Sequence, residues 1–324
     1  MANQIFDSYA LSTTRFHDFD EMAVVAASAW DQRYRRIGHG SEEGFVRQLN
    51  TPSAQISHIG WDSSLLIETG TPKNSIGFVL QVSGKQRLRN NGQTLGEDEI
   101  AVLHAPKAYD LLNAPGTTYT VLAVDAERVL RHAQAHWGQS TDSLNAVSTL
   151  TSEAATQQRA LSSLLRQNIE LGYSNPELLN DPAVQDLMID ELLDAVFLHS
   201  AVQKAEKPKA LRHSMAKKAA QYLNDRVGEP VTLRSMCEHT GASERSLRRG
   251  FLDRFGVTPN TYIKRFRLFQ LREQLRDPAN EGTITENAIR LGMTHLGRLP
   301  SEYKALFSEL PSETLRRCLA RSSV

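Results

Sequence analysis

Residues 231–256, VTLRSMCEHTGASERSLRRGFLDRFG, constrain this chain more than any other stretch. Leu233, Met236 and Cys237 fall on one face of a helix, and Leu247, Phe251 and Phe255 on one face of the next. Between them Thr240-Gly241-Ala242 interrupts the period. Gly241 supplies a backbone conformation that residues with a Cβ avoid, and Ser243 stands where the second helix needs an N-cap. A short helix, a glycine turn and a second helix make up a helix-turn-helix, whose second helix enters the major groove of DNA. The outer face of that second helix carries Arg245, Arg248 and Arg249 at i, i+3, i+4. A guanidinium donates two hydrogen bonds to guanine O6 and N7, or pairs with a phosphate. The plainer alternative is a helical hairpin with a solvated basic face.

A second unit follows. Thr283-Ile284-Thr285-Glu286 has the spacing of a capping box. Ala288, Ile289 and Leu291 lead to Gly292, and HLGRLPSEYKALF (residues 295–307) is a second candidate recognition segment, offering His295, Arg298 and Lys304. TPNTYIKRFRLFQLREQL (258–275), an apolar-periodic helix laced with Lys264, Arg265, Arg267 and Arg272, joins the two units. Charge supports the same division. Residues 205–324 hold 22 Lys and Arg against 13 Asp and Glu, a balance of +9, whereas residues 1–204 hold 15 against 24, a balance of −9. The neutral whole hides a basic part suited to a polyanion.

These residues resemble the AraC/XylS family of bacterial transcription regulators. The resemblance covers residues 211–317 and rests on Ser243, Arg245, Leu247, Arg249, Phe251, Gly256, Pro259, Tyr262, Arg267, Leu268, Ile284, Ala288, Gly292, Tyr303, Lys304, Phe307 and Pro311. It implies two helix-turn-helix units joined by a long helix and docked in successive major-groove segments, an activator more than a repressor, and RNA polymerase as a partner. The chain also departs from the family pattern. Asn287 stands where an Ile is usual, Met293 and Leu299 replace aromatics, and Ser301 replaces an Arg, with Pro300 before it. Aligning Phe251 with Tyr303 sets Arg245, Arg248 and Arg249 opposite Gly297, Pro300 and Ser301. Proline inside a helix removes a donor and kinks it, so the second unit is expected to hold phosphates while the first reads bases.

Ahead of this lies a different pattern. Ile76, Phe78, Leu80 and Val82 alternate with other residues, the period of a half-buried strand. Asn91-Gly92 is a hairpin signal, and Ser83-Gly84, Gly96-Glu97-Asp98 and Ala114-Pro115-Gly116 are further turns. Residues 53–124 thus predict a small β-barrel or sandwich, and residues 50–190 are similar in layout to the cupin-like sensing domains that precede the DNA-binding part in the AraC/XylS family. From Ala126 the period becomes helical. Leu161, Leu164, Leu165 and Ile169, then Val184, Leu187, Met188, Leu192, Ala195 and Val196, mark two amphipathic helices whose stripes predict a homodimer interface, the alternative being that they pack on their own barrel. Residues 202–213, VQKAEKPKALRH, read as a linker. The expected fold is α+β: residues 1–204 form a barrel with flanking helices for sensing and dimerisation, and residues 205–324 an all-α domain with two helix-turn-helix units.

Trp61, Phe78 and Tyr109 are candidates to line an effector pocket, although aromatics in a barrel more often form core. Arg33, with Arg35 and Arg36, could grip an anionic ligand, although a solvated basic face is the favoured reading. His132 and His136 stand at i, i+4 and could share a metal, but no acidic partner is near them in sequence, and a structural or solvated role is favoured. No metal and no cofactor are therefore expected. The two cysteines, Cys237 and Cys318, have no metal-like spacing and fit a reducing compartment. No catalytic set or Gly-rich phosphate loop stands out. Neither a basic-then-apolar leader nor an apolar run of membrane-spanning length occurs, so a cytoplasmic, non-enzymatic, effector-responsive regulator of double-stranded DNA is expected. The alternative is a barrel-fold enzyme or metal protein with a helical appendage.

Overall fold

In the computed structural model, which describes residues 10–17, 30, 32–105, 108–138, 149–152, 155–198, 200–202, 207–280 and 282–322, the part before Ala126 runs as strands. They are β1 (Ala10–Phe16), β2 (Gln32–Thr51), β3 (Ala54–Gly70), β4 (Ser75–Ser83), β5 (Arg89–Asn90), β6 (Gln93–Thr94), β7 (Glu99–His104), β8 (Ala108–Leu112) and β9 (Thr117–Asp125). The short β10 (Thr149–Ser152) and β11 (Ser200–Val202) lie among the helices α1 (Ala126–Trp137), α2 (Ala155–Ser174) and α3 (Pro182–Leu198). The described residues group into two compact units, drawn from residues 1–34 with 42–205 and from residues 35–41 with 206–324.

The strands form one curled antiparallel sheet, ordered β11-β10-β7-β4-β9-β3-β8-β5-β6, with β2 on β3 and β1 on β2. The curl is a half-barrel, as the turn pattern led one to expect. It comes from the 17-residue β3, whose first half pairs with β9 (Ile56 opposite Leu122) and whose second half pairs with β8 (Ile67 opposite Leu111). Asn91 and Gly92 both take positive φ, 50° and 81°, and turn β5 into β6.

Strand β4 is more enclosed than its alternation predicts. Ile76, Phe78 and Leu80 enter the core with Leu161, Leu165 and Val196 of the helices, but Val79 and Gln81 on the opposite side are buried too. The curl covers the second face, so a polar residue there needs partners. Gln81 finds them in the turn: its Nε2 donates to the Gln86 carbonyl at 2.8 Å, and its Oε1 accepts from the Leu88 N–H at 2.6 Å.

Helix α1 starts where the period changes, with the Asp125 carboxylate accepting from the Arg128 N–H at 3.0 Å. The apolar stripes of α2 and α3, expected to meet a second copy, instead pack on the protomer's own sheet: Leu161, Leu165, Ile169, Met188, Leu192 and Val196 are all core. Covering the sheet's outer face removes more apolar surface from water than leaving both stripes bare. Leu187 and Leu198 remain outward on α3.

The second unit is helical: α4 (Lys207–Asn224), α5 (Leu233–Thr240), α6 (Glu244–Phe255), α7 (Pro259–Arg276), α8 (Ile284–Arg290), α9 (Leu299–Phe307) and α10 (Pro311–Ser322). The expected linker over 202–213 is thus helical from Lys207. Pro208 falls in the first turn of α4, where its missing N–H costs no hydrogen bond. Residues 203–206 lie outside the described residues.

Helices α4 and α6 touch at Gly250. A Cβ there would lie 2.6 Å from the Arg212 carbonyl oxygen, a backbone atom that cannot rotate away. Gly250→Ala should therefore lower stability by about 1–3 kcal/mol through overpacking, although alanine is the better helix former. Urea unfolding of the variant checks it; an unchanged or raised midpoint would show that α4 yields freely.

Candidate functional site

The first helix-turn-helix is assembled from local signals. Thr232 caps α5 in a capping box with Ser235. Gly241 ends it at φ +68°, in the left-handed region, and Ser243 caps α6 by accepting from the Ser246 N–H at 3.3 Å. Leu247, Gly250, Phe251 and Phe255 are buried on one side of α6, and Phe251 and Phe255 pack on each other and on Tyr262 of α7. With that side fixed, Arg245, Arg248 and Arg249 all face solvent. Arg248 keeps a loose ion pair with Glu244, 3.8 Å away. Three guanidinium groups on one exposed helical face can read guanine or hold phosphate.

The second unit begins as its sequence predicts. Thr283 and Glu286 form a reciprocal capping box on α8, and Gly292 turns the chain at φ +75°. The next segment then departs from the first unit. Leu296–Arg298 is a 3₁₀ turn and α9 starts only at Leu299. Pro300 therefore sits in the first turn of α9 and does not kink it, which corrects the expectation of a proline inside the helix. Gly297 lies on the 3₁₀ turn, and the Ser301 hydroxyl donates back to the Arg298 carbonyl at 2.9 Å. The outward groups here are His295, Arg298 and Lys304, all exposed. The family departures have packing reasons. Asn287 is buried and its Nδ2 donates to the Gly282 carbonyl at 3.1 Å. Leu299 fills core space beside Tyr303 and Phe307, with Met293 packed against the same cluster.

The basic residues of the joining helix α7 mostly hold the domain together. Lys264 pairs with Glu302 of α9 at 3.0 Å. The Arg267 Nη2 donates to the Val231 carbonyl at 3.1 Å, and the same guanidinium would meet a Cβ on Gly292, so it lies between the two units. Arg272 lies 3.4 Å from Glu309, both nearly buried. Burial of Tyr303, whose hydroxyl shares a hydrogen bond with Thr314, pushes its phenol up to about 12. The sequence signalled cations here, but only the partners distinguish struts from contacts.

The first unit contains a cavity of about 830 Å³ among β1, β2, β3 and the end of α2, with Arg15, Phe16, Phe45, Arg47, His58 and Trp61 in its walls. Two glycines admit the aromatic rings: a Cβ on Gly44 would overlap the Trp61 ring, and one on Gly60 the Phe45 ring. Phe16 stacks on Trp61 at 5.9 Å. Burial, with Arg166 adding to it, pushes His58 down to about 4, so near neutral pH its imidazole is uncharged. Arg47 is bound to Glu170 by a forked ion pair and lies over the Tyr173 ring at 5.0 Å.

Of the predicted pocket residues whose side chains are described, Trp61 alone lines this cavity. Phe78 is in the main core, edge to face with Phe197 at 5.9 Å. The buried Tyr109 hydroxyl accepts from the His104 N–H at 2.7 Å. Arg33 lies on β2, with its side chain outside the described residues. Phe16, Phe45 and His58 were missed. The signal that might have found them is the pair of glycines in β2 and β3, each placed where an aromatic crosses the strand.

Two short helices about a glycine turn, repeated after a long joining helix, define a double helix-turn-helix domain. Residues 236–317 match the family described as a helix-turn-helix domain. A probable thc operon regulatory protein of Rhodococcus erythropolis is 35% identical over 141 residues, 43% of this chain and 42% of that one. A XylDLEGF operon transcriptional activator of Pseudomonas putida is 38% identical over 102 residues, 31% of this chain and 32% of that one. Matches to these relatives thus span less than half of their length. A solved structure of a probable AraC family transcriptional regulator from Rhodopseudomonas palustris CGA009 is 30% identical, covering 32% of this chain and 97% of that one, with a TM-score of 0.31. Residues 236–317 are thus a helix-turn-helix domain similar to the one these regulators carry, and the resemblance to the AraC/XylS family rests on that part of the chain.

Proposed function

We propose that this protein is a sequence-specific transcription regulator that grips double-stranded DNA with α6 and the segment 295–304, and that its first unit senses a small molecule. The observation that carries the reading is the face of Arg245, Arg248 and Arg249, exposed on a helix whose other side is locked into the core. Activation of transcription is proposed by analogy with the Pseudomonas putida relative, a transcriptional activator by name, and RNA polymerase is the partner that such a role would need. The effector reading rests on the cavity beside Trp61, whose volume falls in the range of small-molecule sites and whose walls set the rings of Phe16, Phe45 and Trp61 among charged and polar side chains such as Arg15, Glu43, Arg47 and Asp62. Among the described residues no helix is long and apolar enough to cross a membrane.

The test is binding by residues 205–324 alone, proposed as the DNA-binding domain. This fragment contains the whole second helical core and carries a charge of +9. It should bind a DNA site with an affinity that falls steeply with salt, as neutralised phosphates release counterions. A folded fragment without salt-sensitive DNA binding would overturn the proposal.

A further inference from the structure

Among the described residues, one group of histidine and aspartate side chains places three ligand atoms within 4.8 Å of one another: His132 and His136 of α1 with Asp194 of α3. We propose that this group is a binding site for a divalent transition-metal ion, with zinc as its occupant. The inference is independent of the DNA-binding reading.

The site is built by two helices lying side by side. On α1 the imidazoles at i, i+4 share one face. On α3 the carboxylates of Asp190 and Asp194, also at i, i+4, share the facing one. Asp194 Oδ1 lies 2.9 Å from His132 Nδ1 and 2.9 Å from His136 Nε2. Ligands of tetrahedral zinc stand at about 2.0–2.1 Å from the metal and hence about 3.3 Å from one another. A few tenths of an ångström of outward movement by these side chains, all of them part-exposed, admits an ion.

A second observation concerns what holds His132. Its Nε2 lies 2.9 Å from Asp190 Oδ1, and that oxygen is itself fixed by the Arg128 Nε at 2.8 Å. A carboxylate taking the far N–H of a ligating imidazole is the usual support of a metal-bound histidine, because it sets the tautomer and turns the other nitrogen's lone pair toward the metal. In a neutral His132 whose Nε2–H is given to Asp190, the Nδ1 lone pair faces the Asp194 oxygen, acceptor against acceptor. A cation between the two resolves the conflict, and so does a second proton on the ring. The experiment separates these two occupants. Two imidazoles and one carboxylate favour zinc, nickel, cobalt or copper over magnesium or calcium. The set leaves a fourth position to solvent. Bound metal would add a tie between α1 and α3, which already meet through the pairs of Arg128 with Asp186 and Asp190 and through Trp137 packed edge to face on Phe197.

The test is a calorimetric titration of the full chain with Zn²⁺ after chelator treatment, compared with His136→Ala, Asp194→Asn and Asp190→Asn. The expected result is one Zn²⁺ per chain in the parent protein, with affinity at least 10-fold weaker in His136→Ala and Asp194→Asn. Asp190→Asn touches no metal and should weaken binding by about 10–100-fold. Zn²⁺ should raise the melting temperature of the parent and not of Asp194→Asn, and Mg²⁺ should raise neither. If a variant fails to fold, Co²⁺ bound to the parent still decides: a tetrahedral visible spectrum without thiolate charge transfer supports the site, and a thiolate band places the metal on a cysteine instead. Unchanged Zn²⁺ affinity in both folded ligand variants, or no binding by the folded parent, would overturn the proposal and leave a protonated His132 between two carboxylates.

Discussion

Arg249→Ala should cost the protein its preference at one or two base pairs of its site and leave its general hold on DNA nearly intact. Arg249 is exposed on the face of α6 opposite Leu247 and Phe251. A bidentate contact to guanine is worth about 1–3 kcal/mol of discrimination, or roughly 5- to 150-fold between right and wrong base. Arg298→Ala should behave differently. It removes a cation from the 3₁₀ turn before α9, where Gly297 offers no side-chain donor and the Ser301 hydroxyl is already turned to the Arg298 carbonyl. Binding to all sequences should weaken alike, with a shallower salt dependence. Selection of bound sequences from a random pool, with parent and both variants, reads the difference. Two equally informative blocks about one helical turn apart would show the second unit reading bases after all.

The other large effect concerns stability. Arg272 and Glu309 have side chains only 6% and 7% exposed, and Glu309 also takes the Thr314 hydroxyl at 2.8 Å and the Arg317 guanidinium at 2.5 Å. Glu309→Ala takes this carboxylate away from the buried Arg272, whose guanidinium lies 4.7 Å from the centroid of the Phe307 ring. Breaking a buried pair from one side costs about 3–5 kcal/mol, a large share of what holds a domain of this size. The double replacement Arg272→Met with Glu309→Leu should be much less damaging, because it removes both desolvated charges together. Urea unfolding of the three proteins measures this. Equal losses in the single and double variants would show that the carboxylate acts through Thr314 and Arg317 alone.

What the sequence made legible was local. Gly241, Ser243 and the 3.6-residue spacing of Leu247 and Phe251 announced the first helix-turn-helix, as Thr283 and Glu286 did the start of the second, because caps and turns depend on neighbours within four residues. Asn91-Gly92 marked its hairpin for the same reason. Strand β2 was not legible, since RRIGHGSEE within it shows no apolar alternation, and β10 and β11 are too short to display a period. Partners distant in the chain were hidden altogether. His132 and His136 looked isolated until α3 brought Asp190 and Asp194 beside them, and Arg272 was one more cation on the joining helix until Glu309 closed on it. The aromatic wall of the cavity was missed because burial alone does not tell Trp61, on a cavity, from Phe78, in the core.

The order of the sheet has a consequence for how the chain reaches its folded state. Strand β3 pairs with β9 from Ala54 opposite Val124, and β10 pairs with β11 only when Leu150 meets Val202. Such pairings close long loops before any contact repays the lost entropy, which makes sheets of this kind slow to form. The helices of the second unit form from local hydrogen bonds and close shorter loops, such as Arg212 to Gly250 and Arg272 to Glu309, so they fold earlier. During synthesis the half that emerges first is therefore the half that finishes last, and its unpaired strand edges stay open to aggregation in the interval.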